Sequence, residues 1–134
     1  MTISSDQRHK LAQRAKERCE YCLLHQDHGI KKHEPDHIIP KKHGGQDLLG
    51  NLAWACFQCN RYKGSEVAAF DQETGELTAL FNPRHDQWTD HFSLNQGFIQ
   101  AKTAIGRVTI LVLQLNRPGR IQVRNQLSKI NLYP

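Results

Sequence analysis

The 134-residue sequence predicts a single α+β domain spanning 1–134, and two observations carry that prediction. First, its four cysteines form two C-x2-C pairs, Cys19/Cys22 and Cys56/Cys59, separated by the 33 residues 23–55. Two knuckles that share one metal must therefore bracket a folded insert. Second, strand-like and helix-like apolar patterns alternate along the chain with no internal repeat, and the sole linker-like stretch, residues 81–88, is too short to separate two domains. The predicted architecture is a zinc-bracketed core over residues 19–64, one helix before it, and a hairpin and helical extension over 71–134 after it.

Each element has a local reason. Ser4 or Ser5 caps a helix running through about Glu17, with Leu11, Ala12 and Ala15 on one face and basic residues around the rest. Residues 30–40 contain two prolines and suit an extended strand ending in a turn. The glycines of KKHGGQDLLG make residues 41–50 a loop. Leu52, Ala53, Trp54 and Ala55 form the returning strand of a hairpin, with Trp54 in the core. A helix starts between Phe57 and Asn60 and is predicted to continue to about Phe70. Beyond it, a turn at Thr74 and Gly75 precedes a short strand over 77–81, which residues 91–94 are placed to pair with. Residues 101–115 read as a buried helix through Val108, Leu111, Val112 and Leu115. Pro118 and Gly119 break it, and residues 120–130 read as a final helix turning Ile121, Val123, Leu127 and Ile130 inward.

Composition excludes several classes. Lys+Arg of 18 against Asp+Glu of 13 gives a formal charge of +5, which favours polyanionic partners. With 38% hydrophobic residues and no low-complexity run, a wholly disordered chain is excluded. The longest apolar stretch, residues 108–115, falls far short of the ~18 residues of a membrane span. The first residues lack the apolar core of a secretory signal, so the expected location is cytoplasmic. In a reducing compartment four paired thiols suit a structural Zn2+ better than local disulfides or redox-active pairs.

Between and just after the knuckles lie polar groups of different chemistry: Asp36 and His37, Asn51, and Asn60 directly after the last cysteine. Folding of hairpin and helix around one zinc brings the end of the first strand near the start of the helix. Asp36 and Asn60 would then offer hard oxygen donors to Mg2+ or Mn2+, and a neutral His37 imidazole would suit removal of a proton from water. A cation and a base so placed suffice for phosphodiester hydrolysis. Arg61 and Lys63 on the helix, with Lys41 and Lys42 in the loop, are candidate phosphate contacts, although a basic face also serves solubility. Asn60 doubles as a candidate helix cap, and the remaining histidines read as solvated or structural.

The ordered series CEYC, HEPDHIIPKKHGG, NLAWAC and CNRYKG resembles the HNH endonuclease family, whose catalytic unit is the ββα-metal finger. The later TGELTALFNPRHDQWTDHF looks like the extension of small free-standing bacterial HNH proteins. The resemblance implies His37 as general base, Asp36 as metal ligand, Asn51 as the brace that aims His37, and Asn60 as second metal ligand in an HNN variant. It implies a structural zinc, a catalytic Mg2+ or Mn2+, and nicking or double-strand cleavage of DNA, ahead of RNA, by a monomer or homodimer. The alternatives are a non-catalytic zinc-dependent nucleic-acid-binding module of the same fold, and a partner-binding zinc protein whose binding is insensitive to salt.

Overall fold

A computed structural model describes residues 3–134. Helix α1 (Ser5–Arg14) opens with a capping box: the Ser4 hydroxyl accepts from the Gln7 amide at 3.1 Å while the Gln7 side chain accepts from the Ser4 amide at 3.0 Å. Its predicted face is the observed one, for Leu11 packs with Leu52 and Trp54, and Ala12 and Ala15 lie against that cluster. Strands β1 (Glu34–His37) and β2 (Leu52–Ala55) form the expected antiparallel hairpin, with Asp36 opposite Ala53 and His37 opposite Leu52. Helix α2 (Phe57–Lys63) follows immediately, capped by the Cys56 sulfur.

The first departure from expectation is the end of α2. It stops at Lys63, not near Phe70, because Gly64 takes a backbone conformation at φ +53° that closes the helix. Residues beyond it turn into a hairpin of β3 (Ala68–Phe70) and β4 (Leu77–Ala79), so β4 pairs with β3 and not with residues 91–94. A single-turn helix α3 (Trp88–His91) leads into a further hairpin of β5 (Phe92–Asn95) and β6 (Phe98–Ala101). The buried helix predicted from residue 101 therefore begins later, as α4 (Ala104–Leu113), where the Thr103 hydroxyl caps the Gly106 amide at 3.1 Å.

Helix α5 (Pro118–Lys129) starts at Pro118, whose fixed φ suits a first helical position, so Pro118 and Gly119 open this helix and do not merely separate it from α4. Its inward face is corrected in part: Leu127 packs against the core as predicted, but Val123 and Ile130 do not turn inward. Val123 and Ile130 are 42% and 63% exposed, whereas Arg120 and Arg124 are buried. The two arginines meet backbone carbonyls and cysteine sulfur, which guanidinium groups satisfy and aliphatic chains do not.

One hydrophobic core joins finger and extension: Cys19, Tyr21 and Ile38 pack in the same cluster as Phe81, Phe92, Ile99, Val108 and Leu115. Polar ties cross the same boundary. The Trp88 indole donates to the Tyr21 carbonyl at 2.9 Å, and Arg84 bonds Glu20. Within the extension Arg107 forks onto both oxygens of Asp71 at 2.9 Å each, which holds that carboxyl well below the usual range.

Candidate active site and metal centre

All four cysteines are free, at most 2% exposed, and place their sulfur atoms within 4.8 Å of one another. The Cys22 and Cys56 sulfurs are 3.7 Å apart, too far for a disulfide, and they match the edge of about 3.8 Å of a tetrahedron with Zn–S near 2.3 Å. Each knuckle turns its own amide onto sulfur: Cys22 N–H donates to Cys19 Sγ at 3.4 Å and Cys59 N–H to Cys56 Sγ at 3.3 Å. The cluster fits a structural zinc, as the cysteine spacing predicts.

The four-cysteine cluster ties the base of the hairpin to α2, and the candidate catalytic residues lie along β1, in the loop beyond it and on α2. Consecutive strand residues point to opposite faces. Asp36 accordingly points inward, 3% exposed, where Tyr21 Oη donates to Oδ2 at 2.6 Å and Lys63 Nζ donates to Oδ1 at 3.3 Å. Burial pushes the Asp36 carboxyl up, although Lys63 and Tyr21 both oppose the shift. Lys63 also donates to the His37 carbonyl at 2.9 Å and the Ile38 carbonyl at 3.4 Å. Its ammonium is 2% exposed, so the expectation of a phosphate contact at Lys63 is corrected: this lysine closes the end of α2 onto β1. Arg61, Lys41 and Lys42 are exposed.

Asn60 bonds a different partner, its Nδ2 donating to Glu34 Oε1 at 2.6 Å. Glu34 and Asp36 share one face of β1, and Asn60 and Lys63 are three apart on α2, so two polar pairs stack along the strand–helix contact. In this arrangement Asp36 and Asn60 do not present an open two-ligand cation site, because both Asp36 oxygens are buried and already bonded.

His37 faces the loop. Its Nε2 lies 2.6 Å from Asp47 Oδ1, and its side chain is 23% exposed. A carboxylate only accepts, so Nε2 carries a proton, and in the neutral ring Nδ1 would hold the lone pair. The His37 ring, then Lys41 at 3.3 Å, hold the Asp47 carboxyl below its ordinary range. Helix α1 fixes the same loop, since Gln7 Nε2 donates to the Asp47 carbonyl at 3.0 Å.

Asn51 sits where the loop rejoins β2. Its Oδ1 accepts from the Ile39 amide at 2.9 Å, and its Nδ2 donates to the carbonyls of Ile39 at 2.9 Å and Gln46 at 3.0 Å. The loop is drawn so tightly that a Cβ on Gly45 would stand 1.6 Å from the Ile39 carbonyl oxygen. Gly45→Ala should therefore displace the loop and with it Asp47. We expect a variant that keeps its zinc but loses about 100-fold in any activity requiring His37, the usual consequence of an ångström-scale misplacement, checked by metal analysis beside a rate measurement.

Asp47 and Glu34 were not among the sequence candidates. Asp47 lies ten residues after His37 across a loop whose path the sequence does not specify, and Glu34 reads as an ordinary exposed strand carboxylate.

Residues 19–66 match the model of the HNH endonuclease family, and this segment contains the hairpin, the helix and the four-cysteine cluster. The chain is also similar to the Septu protein PtuB of Bacillus thuringiensis, 26% identical over 113 residues. That alignment covers 83% of this chain but only 41% of the relative. No solved structure matches the chain significantly. Among the described residues no helix is long and apolar enough to cross a membrane.

Proposed function

We propose that the chain is a metal-dependent endonuclease that hydrolyses DNA phosphodiester bonds with His37 as general base. The observation that carries this reading is the His37–Asp47 contact at 2.6 Å on a braced loop. Asp47 holds Nε2–H, so Nδ1 is the nitrogen available to take a proton from a water in line with the phosphorus. Asn51 prevents the loop from carrying Asp47 away from His37. Exposed Arg61, Lys41 and Lys42 supply positive charge for the backbone phosphates. A Mg2+ or Mn2+ at Asp36 and Asn60 would neutralise charge growing on the phosphate only if Asp36 were released from Lys63 and Tyr21.

The buried Asp36–Lys63 pair favours a second reading, a zinc-dependent nucleic-acid-binding module without catalysis, in which a lysine stands where a metal would be needed. A supercoiled-plasmid nicking assay with EDTA, Mg2+ or Mn2+ separates the two. Nicking that needs added divalent metal supports the endonuclease, whereas salt-sensitive DNA binding with no nicking under any metal supports the module. Within the first reading, Asp47→Asn should lower the nicking rate by about 100-fold with little change in DNA affinity, because it removes the orientation of the base and leaves the binding surface intact. An unchanged rate would show that His37 needs no carboxylate partner.

A further inference from the structure

Two buried arginines on α5 have no part in the chemistry proposed above. Arg120 is 6% exposed, and its Nη2 lies 2.9 Å from Cys59 Sγ and 3.7 Å from Cys56 Sγ. Its Nη1 donates to the carbonyls of Leu113 at 2.9 Å and Gln114 at 3.2 Å, so one planar group joins the second knuckle to the end of α4. Arg124, one turn further along, fixes the helix in place by donating to the Gly97 carbonyl at 2.7 Å and the Leu115 carbonyl at 2.8 Å. The tail then returns to the first knuckle, where the Tyr133 hydroxyl donates to the Cys22 carbonyl at 2.7 Å. Arg120, Arg124 and Tyr133 all lie outside residues 19–66, the segment that matches the family model.

The electrostatics explain why a cation belongs there. Four thiolates around Zn2+ carry a net charge of −2, and here the group is shut away from water, which is costly unless the charge is matched. The two knuckle amides supply only partial charges, whereas a guanidinium supplies a full one that is never lost at ordinary pH.

We propose that Arg120 is the charge partner of the four-cysteine zinc site: its guanidinium donates to the Cys59 thiolate, offsets one of the two negative charges, and thereby raises zinc affinity. The extension is then part of the metal site and not an appendage to it. Arg120 acts through its ligand and is a positioning residue. The inference is independent of catalysis.

The test uses the full chain. Arg120→Met, which keeps the volume and removes the charge, should bind zinc about 10- to 100-fold more weakly in competition with a chelator, the usual effect of losing an outer partner of a metal ligand. Arg120→Lys should recover most of that affinity. In the Co2+-substituted protein, the sulfur-to-metal charge-transfer bands of Arg120→Met should move to lower energy, because an unbonded thiolate gives up electron density more easily. If Arg120 only caps α4, both variants lose thermal stability while affinity and bands stay as in the parent, and the proposal is overturned. Should Arg120→Met fail to fold, the parent protein loaded with NMR-active cadmium decides. A scalar coupling from a guanidinium proton to the metal through sulfur supports the assignment, and its absence overturns it.

Discussion

Cys56→Ser should yield a chain that neither holds zinc nor folds its finger, and Cys22→Ser should do the same. Cys56 is used three ways at one junction. It follows directly on β2, its sulfur caps α2 by accepting from the Cys59 amide, and it lies among the four clustered thiols. A serine hydroxyl retains some capping capacity, so the loss falls mainly on the metal, for which an alcohol is a far poorer ligand than a thiolate. Structural zinc contributes an apparent ~10–16 kcal/mol to small metal-dependent domains, which is comparable with the ~5–15 kcal/mol that separates folded from unfolded protein. The shared core spreads the damage, because Cys19, Cys22, Cys56 and Cys59 pack in the same cluster as Phe92, Ile99 and Val108. Metal content together with circular dichroism is the measurement. A Cys56→Ser protein that retained one zinc per chain and the parent spectrum would show that the cluster is not what holds the finger.

The finger was legible because its determinants are local or periodic. Two C-x2-C pairs announce a shared metal and glycines mark the loop, whereas strand alternation separates Asp36 from His37, two groups the sequence reading places at one site. The serine cap of α1 is likewise a local signal, and the face read from Leu11, Ala12 and Ala15 is the one that packs. What escaped was polar and long-range. Burial of Lys63 depends on Asp36, 27 residues earlier, and on two strand carbonyls, none of which hydrophobic periodicity detects. Burial of Arg120 and Arg124 inverts the ordinary reading of an amphipathic helix, since their partners are carbonyls and sulfur up to 64 residues away. The early end of α2 turned on a single glycine whose positive φ allowed the chain to leave the helix and begin β3.

These missed contacts share a consequence for the site. The loop that carries Asp47 is held from three sides: by Asn51 at its return, by Gln7 of α1, and by His37 itself. The end of β1 is held from beneath by Lys63, which bonds the carbonyls of His37 and Ile38. The backbone of the proposed base is thus fixed by α2 while its ring is fixed by the loop, and the two supports are independent. Preorganisation of this kind lets a histidine act without reorganisation cost at the moment of proton transfer. It also means that changes to the ring need not disturb the fold.

That separation sets the outcome for His37→Ala, the substitution with the largest expected effect on activity. The ring is 23% exposed and belongs to neither hydrophobic cluster, so its removal leaves no cavity in the core. Asp47 keeps Lys41 as a partner at 3.3 Å, and Asn51 continues to brace the loop through Ile39 and Gln46. Zinc content, circular dichroism and the salt dependence of DNA binding should therefore match the parent. The nicking rate should fall by at least ~100-fold, the usual size of a general-base contribution, and added imidazole should restore part of it by standing in for the missing ring. Parent-like nicking by a zinc-loaded His37→Ala would remove His37 from the chemistry and return the search for the base to the other polar groups along β1. Loss of nicking together with loss of DNA binding would instead place His37 on the binding surface, with its contact to Asp47 serving to shape that surface.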